Sequence, residues 1–125
     1  MCIRDRGYRG LNQFVVVHQD PEEADRGGEH DGGTDPETAM PFATPIFFNV
    51  TSIGAPTSRT LTFRDNAGGE YHNSIFSGYN QGVDIELLLG QDQHSFAQFE
   101  AGNLVIENCI FSDINANEIF TVSAQ

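Results

Sequence analysis

Short apolar runs broken by glycine and asparagine dominate this chain, and one short stretch alone carries the spacing of a helix. The β-branched and aromatic run Gln13–His18 predicts a buried strand. Further strands are predicted over Ile46–Ile53, Thr60–Arg64, Glu70–Phe76, Gly82–Leu89, Asn103–Phe111 and Glu118–Val122. Turn signals separate them: Gly54-Ala-Pro, Asn66-Ala-Gly-Gly, Ser77-Gly-Tyr-Asn-Gln-Gly and Asn115-Ala-Asn. Residues 92–100 read as a short helical insert, with Phe96 and Phe99 on it and Gly102 as its stop. Residues 20–40 are polar and hold two Gly-Gly pairs and two Asp-Pro steps, which predicts one long acidic, glycine-rich loop.

An internal repeat turns this list of strands into an architecture. Asn73-Ser-Ile-Phe-Ser and Asn108-Cys-Ile-Phe-Ser share one pattern, and Asn49-Val-Thr-Ser-Ile is a weaker copy. The copies lie 24 residues apart from Asn49 to Asn73 and 35 apart from Asn73 to Asn108, and the longer interval contains the helical insert. A period in this range, built of strands and bends, predicts stacked rungs: an all-β solenoid of parallel strands with rungs over about 46–125. Asn49, Asn73 and Asn108 are its corner residues, because asparagine tolerates the left-handed conformation and stacked amides can bond one another. Alternation places Leu61, Phe63, Tyr71, Val83, Ile85, Leu104 and Ile106 on one face, and Phe76 and Phe111 turn inward together after their corners. The competing architecture is an antiparallel two-sheet sandwich, but its two-residue Asn-Gly or Asp-Gly hairpin loops are missing.

Charge narrows the partners. The 125 residues carry 18 Asp and Glu against 6 Arg and no Lys, a net charge of −12. Such a chain has nothing to neutralise a run of phosphates, which argues against nucleic acid, and it is repelled by an anionic membrane surface. Hydrophobic residues make up 38%, too many for a disordered acidic tail. No run approaches the roughly 20 apolar residues of a membrane span. Residues 1–6 hold two of the six Arg and resemble translated sequencing-adapter read-through, so they read as a non-native tail. The other end stops inside a strand-like run, so residues 7–125 read as a few rungs of a longer solenoid. With Cys2 in the tail, Cys109 stands alone and reads as a packed residue.

Three segments carry a resemblance: Gly7-Tyr-Arg-Gly-Leu-Asn-Gln-Phe-Val-Val-Val, Ala24-Asp-Arg-Gly-Gly-Glu-His-Asp-Gly-Gly and Leu61-Thr-Phe-Arg-Asp-Asn-Ala-Gly-Gly-Glu-Tyr-His-Asn-Ser-Ile-Phe. They resemble bacterial secreted right-handed parallel β-helix proteins, often lipoprotein-like, and the match is colinear from Gly7 to about Asp113. The resemblance implies export and a secreted or cell-surface location. It implies no established activity and no catalytic residues.

The candidate chemistry is sparse. Glu29, Asp31 and Asp35, set among glycines, offer oxygens of the kind calcium takes, but without an EF-hand or β-roll pattern; the plainer reading is a solvated acidic loop. His18, His30, His72 and His94 form no metal-binding spacing, and His30 reads as an exposed loop residue. Asp84 and Glu86 alternate on a strand, a pairing that suits glycoside or uronate chemistry and more simply makes a wet outer face. Arg64 and Asp65 read as a structural ion pair, and Asn49-Val-Thr51 fits a glycosylation pattern that the corner role explains better. Two functions compete. One is a non-catalytic surface solenoid for adhesion or for binding a polysaccharide or surface glycan, with calcium as its conceivable ion. The other is a polysaccharide hydrolase or lyase, against whose lyase form the lack of Lys weighs. A concave outer face with clustered carboxylates plus Arg or Lys favours the enzyme, and a featureless face favours binding.

Overall fold

The computed structural model describes residues 2–3, 9–33, 36 and 40–125. Among the described residues, thirteen strands and one short helix run in the order β1 (Cys2–Ile3), β2 (Leu11–Asn12), β3 (Val15–His18), β4 (Arg26–Asp31), β5 (Ile46–Phe48), β6 (Val50–Ile53), β7 (Arg59–Arg64), β8 (Gly69–His72), β9 (Ile75–Ser77), β10 (Gln81–Leu87), α1 (Ser95–Glu100), β11 (Leu104–Glu107), β12 (Ile110–Ser112) and β13 (Phe120–Ala124). Every third strand joins the same sheet. The first sheet is β1-β4-β7-β10-β13, the second β2-β5-β8-β11 and the third β3-β6-β9-β12. All pairings are parallel, so the chain coils through the second, third and first sheets in each turn. The 24- and 35-residue spacings of the repeat are the registers Thr51↔Ile75 and Ile75↔Ile110. The extra length of the second interval holds α1.

Three runs predicted as single strands are each two strands meeting at an asparagine. Asn49, Asn73 and Asn108 have φ of 55°, 51° and 54°, a left-handed step that turns the chain from the second sheet into the third. The hydrophobic run continues through the corner, so pattern alone does not reveal the break. The corner bonds differ from the expected stack of amides. Backbone N–H groups of Asn49 and Asn73 donate to the carbonyls of His72 and Glu107, at 3.1 and 3.2 Å. The Asn49 side chain donates to the Gln13 carbonyl at 3.1 Å. An amide pair of the expected kind joins Asn115 to Asn80 at 3.1 Å, beyond the third sheet.

The predicted loop 20–40 is also not all loop, and the rungs begin before residue 46. Arg26–Asp31 forms β4, bonded in register to β7, with Gly28↔Leu61, His30↔Phe63 and Asp31↔Arg64. Its composition of Gly, Glu, His and Asp lacks intrinsic strand preference. Tertiary pairing overrides that: Gly28 and His30 face inward, while Glu29 and Asp31 meet arginine outside.

The core fills the lumen of the coil. Phe47, Val50, Leu61, Phe63, Tyr71, Phe76, Tyr79, Val83, Ile85 and Leu104 form one buried cluster. Rings stack from rung to rung: Phe47 on Tyr71 at 4.7 Å and Phe76 on Phe111 at 5.2 Å between centroids. Burying each large side chain contributes about 1.5–3 kcal/mol. The insert is capped by His94, whose Nδ1 accepts from the Ala97 N–H at 3.1 Å. Gln98 anchors it, donating to Asn66 at 2.6 Å and accepting from Asn103 at 2.9 Å. Among the described residues no helix is long and apolar enough to cross a membrane.

Candidate functional site

Alternation along the first sheet separates its two faces. Leu61 and Phe63 of β7 and Val83 and Ile85 of β10 point into the lumen, so the residues between them point out. Register then stacks Glu29, Thr62, Asp84 and Thr121 in one row across four rungs. A second row begins with Asp31 beside Arg64 and ends with Glu86 beside Ser123. Neighbouring rungs lie about 4.8 Å apart. Three arginines, far apart in sequence, gather on this face because Arg26 pairs in register with Arg59, and Arg64 ends the same strand as Arg59.

The face is knitted by ion pairs. Arg64 donates through Nε to Asp31 at 2.7 Å and reaches Glu29 through its terminal nitrogen at 3.0 Å. The hydrogen bond to Asp31, followed by the charges of Asp31, Glu29 and Asp65, raises the Arg64 pKa. Arg26 pairs with Asp25, approaches Glu29 at 3.8 Å and donates to the Thr62 hydroxyl at 3.1 Å. Arg59 lies 3.7 Å from Asp84, which also accepts from Thr121 and Ser123 at 2.9 and 2.6 Å. Glu86 is buried and accepts from the Asp65 N–H at 2.8 Å, so it is not on a wet face as expected. Where the strands of this sheet begin, two clefts open. One, of about 290 Å³, is lined by Gln19, Asp20, Glu23, Asp25, Arg26 and Glu29. The other, of about 350 Å³, is lined by Arg59, Gln81, Asn117, Glu118 and Thr121.

Other sequence candidates fall elsewhere. Of the three expected calcium ligands, Asp35 lies outside the described residues, and Glu29 and Asp31 are brought together with their oxygens turned to Arg64. Among the described residues no group of three His, Cys, Asp or Glu is arranged to hold a metal ion. Arg64 reaches across to Glu29 and Asp31 on β4, and the Asp65 charge also acts on it. His30 is not an exposed loop residue. It is 4% exposed, stacked on Phe63 at 4.6 Å, with Nε2 2.9 Å from the Tyr71 hydroxyl, and burial lowers its pKa from 6.5 to about 4. Cys109 is half-buried, its thiol pKa pushed up by burial and its Sγ 3.3 Å from the Glu107 carbonyl.

One cluster had no sequence signal. On the outside of the second sheet, Phe48, His72 and Glu107 share a column. The His72 ring stacks on Phe48 at 4.7 Å and sets its nitrogens 3.0 Å from Glu70 and 3.6 Å from Glu107. Like the arginine cluster, it becomes visible only once the rung register is known.

A coil of three parallel sheets with its core in the lumen and a continuous polar row outside defines a parallel β-helix. Residues 4–124 match the family model described as the pectate-lyase-like beta helix domain, and the chain belongs to that family. No curated protein matches it. No solved structure matches it either.

Proposed function

We propose that this β-helix is a secreted or cell-surface protein that binds an uncharged polysaccharide along the outer face of its first sheet. The observation that carries the reading is the row Glu29–Thr62–Asp84–Thr121, which places a hydrogen-bonding side chain at four successive rungs. An extended glycan offers hydroxyls at regular intervals and suits such a ladder of donors and acceptors. Charge favours a neutral polymer. Arg26, Arg59 and Arg64 are already paired with carboxylates, and the chain as a whole carries −12, so a polyuronate meets excess negative charge. The packing of Asp84 and Glu86 against donors supports binding over hydrolysis, because neither stands open as a general acid.

Affinity electrophoresis in native gels tests this. Migration is expected to slow in gels containing neutral glucan or xylan and to stay unchanged in polygalacturonate. Arg59→Gln and Thr121→Val are expected to weaken the retardation several-fold. Equal migration in every gel would sink the reading. Release of reducing ends or unsaturated products would replace it with the catalytic one.

A further inference from the structure

The lumen is not evenly filled. In the inward column Gly28, Leu61 and Val83, the first position carries no side chain while the next two are large and buried. A cavity of about 210 Å³ opens beside it. Val15, Val17, Phe47, Val50, Leu61 and Phe76 give it apolar walls drawn from three successive rungs. Polar groups also line it: His30 and Tyr71, with Gln19, Arg26 and Ser52. A Cβ built on Gly28 would lie 3.2 Å from the Tyr71 hydroxyl and 3.5 Å from His30 Nε2. The Tyr71 hydroxyl and His30 Nε2 therefore border the position of the missing side chain, which a Leu61 methyl also approaches at 2.9 Å.

We propose that this lumenal cavity is a binding site for a phenol-sized apolar molecule carrying one hydroxyl. The size fits: an apolar core cavity of about 150 Å³ holds benzene. The polar end fits as well. Tyr71 has two lone pairs and one O–H, and its bond to His30 uses one of these, so an acceptor position remains on its oxygen whichever partner donates. His30 is fixed by stacking on Phe63, and burial keeps its ring neutral at ordinary pH, so the histidine brings no charge to the cavity. The cavity meets the outer face at one edge, where Gln19 and Arg26 line both it and the cleft of about 290 Å³, while its apolar walls and Tyr71 lie on the lumenal side.

The test uses p-cresol and toluene as probes of the whole chain, read by ligand-observed NMR and by the shift in thermal midpoint. p-Cresol is expected to bind saturably and raise the midpoint. Toluene, which lacks the hydroxyl, is expected to bind about tenfold more weakly. Val17→Phe fills the space and is expected to abolish binding of both. Tyr71→Phe keeps the ring and removes the hydroxyl, and is expected to reduce p-cresol to the toluene level. Absence of saturable p-cresol binding to the wild type overturns the proposal. So does p-cresol binding unchanged in Tyr71→Phe or in a folded Val17→Phe protein.

Discussion

His30 shows how one buried residue can set the acid limit of the fold. Its neutral ring stacks in the core, and burial depresses its pKa from 6.5 to about 4. The unfolded chain therefore binds the proton more readily than the folded one. The stability tied to the neutral ring is fully present above pH 6.5, falls as pH drops below it, and is gone below about pH 4. A shift of this size corresponds to about 3 kcal/mol. Urea midpoints of wild type and His30→Phe at pH 7 and pH 4.5 are expected to show a smaller acid loss in the variant. An equal loss in both would mean that carboxylate pairs, such as Asp31 with Arg64, carry the whole acid response. The corner asparagines are single-residue features of another kind. Their side chain tolerates the left-handed step and they recur at a fixed place in the repeat, so they could be read directly from the sequence.

The elements differ in how the sequence encodes them. β7 and β10 alternate apolar and polar residues and are rich in β-branched or aromatic side chains, so local pattern was enough. β4 has no such pattern. Gly27, Gly28, Glu29 and Asp31 become a strand because β7 supplies the ladder bonds and Arg64 the charges, and that information is long-range. The same limit hid the candidate site. Asp84 and Glu86 were legible as a pair on one strand, but Arg59 meets Asp84, and Arg64 meets Glu29 and Asp31, only through pairing of residues 22 or more apart. One glycine holds the last rung in place. A Cβ on Gly82 would sit 2.0 Å from the Ile119 carbonyl oxygen, at the approach of the chain to β13. Gly82→Ala is therefore expected to strip β13 from β10. Hydrogen exchange is expected to lose protection over 120–124 while the β4–β7 ladder keeps it. Retained protection at β13 would show that the backbone can yield there.

For the molecule as a whole, the exposure of β13 matters most. Phe120 and Val122 are 50% and 48% exposed, whereas Val83 and Ile85, their partners one rung inward, are 0% and 5% exposed. Within these 125 residues β13 thus exposes residues of lumenal register, a combination of apolar side chains and strand that favours edge-to-edge association. This polypeptide is expected to melt early and to scatter light increasingly with concentration, more so in salt that screens its charge of −12. A cooperative, heat-resistant monomer at high concentration would contradict this. The three corners of the coil carry a different consequence. Between the second and third sheets the chain always turns within one or two residues, at 13–14, 49, 73–74 and 108–109. Between the first and second sheets the connection varies widely, over 32–45, 65–68 and 88–103. Foreign sequence can therefore be grafted at the second kind of corner without disturbing the winding, whereas a single residue added at Asn73 throws every later rung out of step.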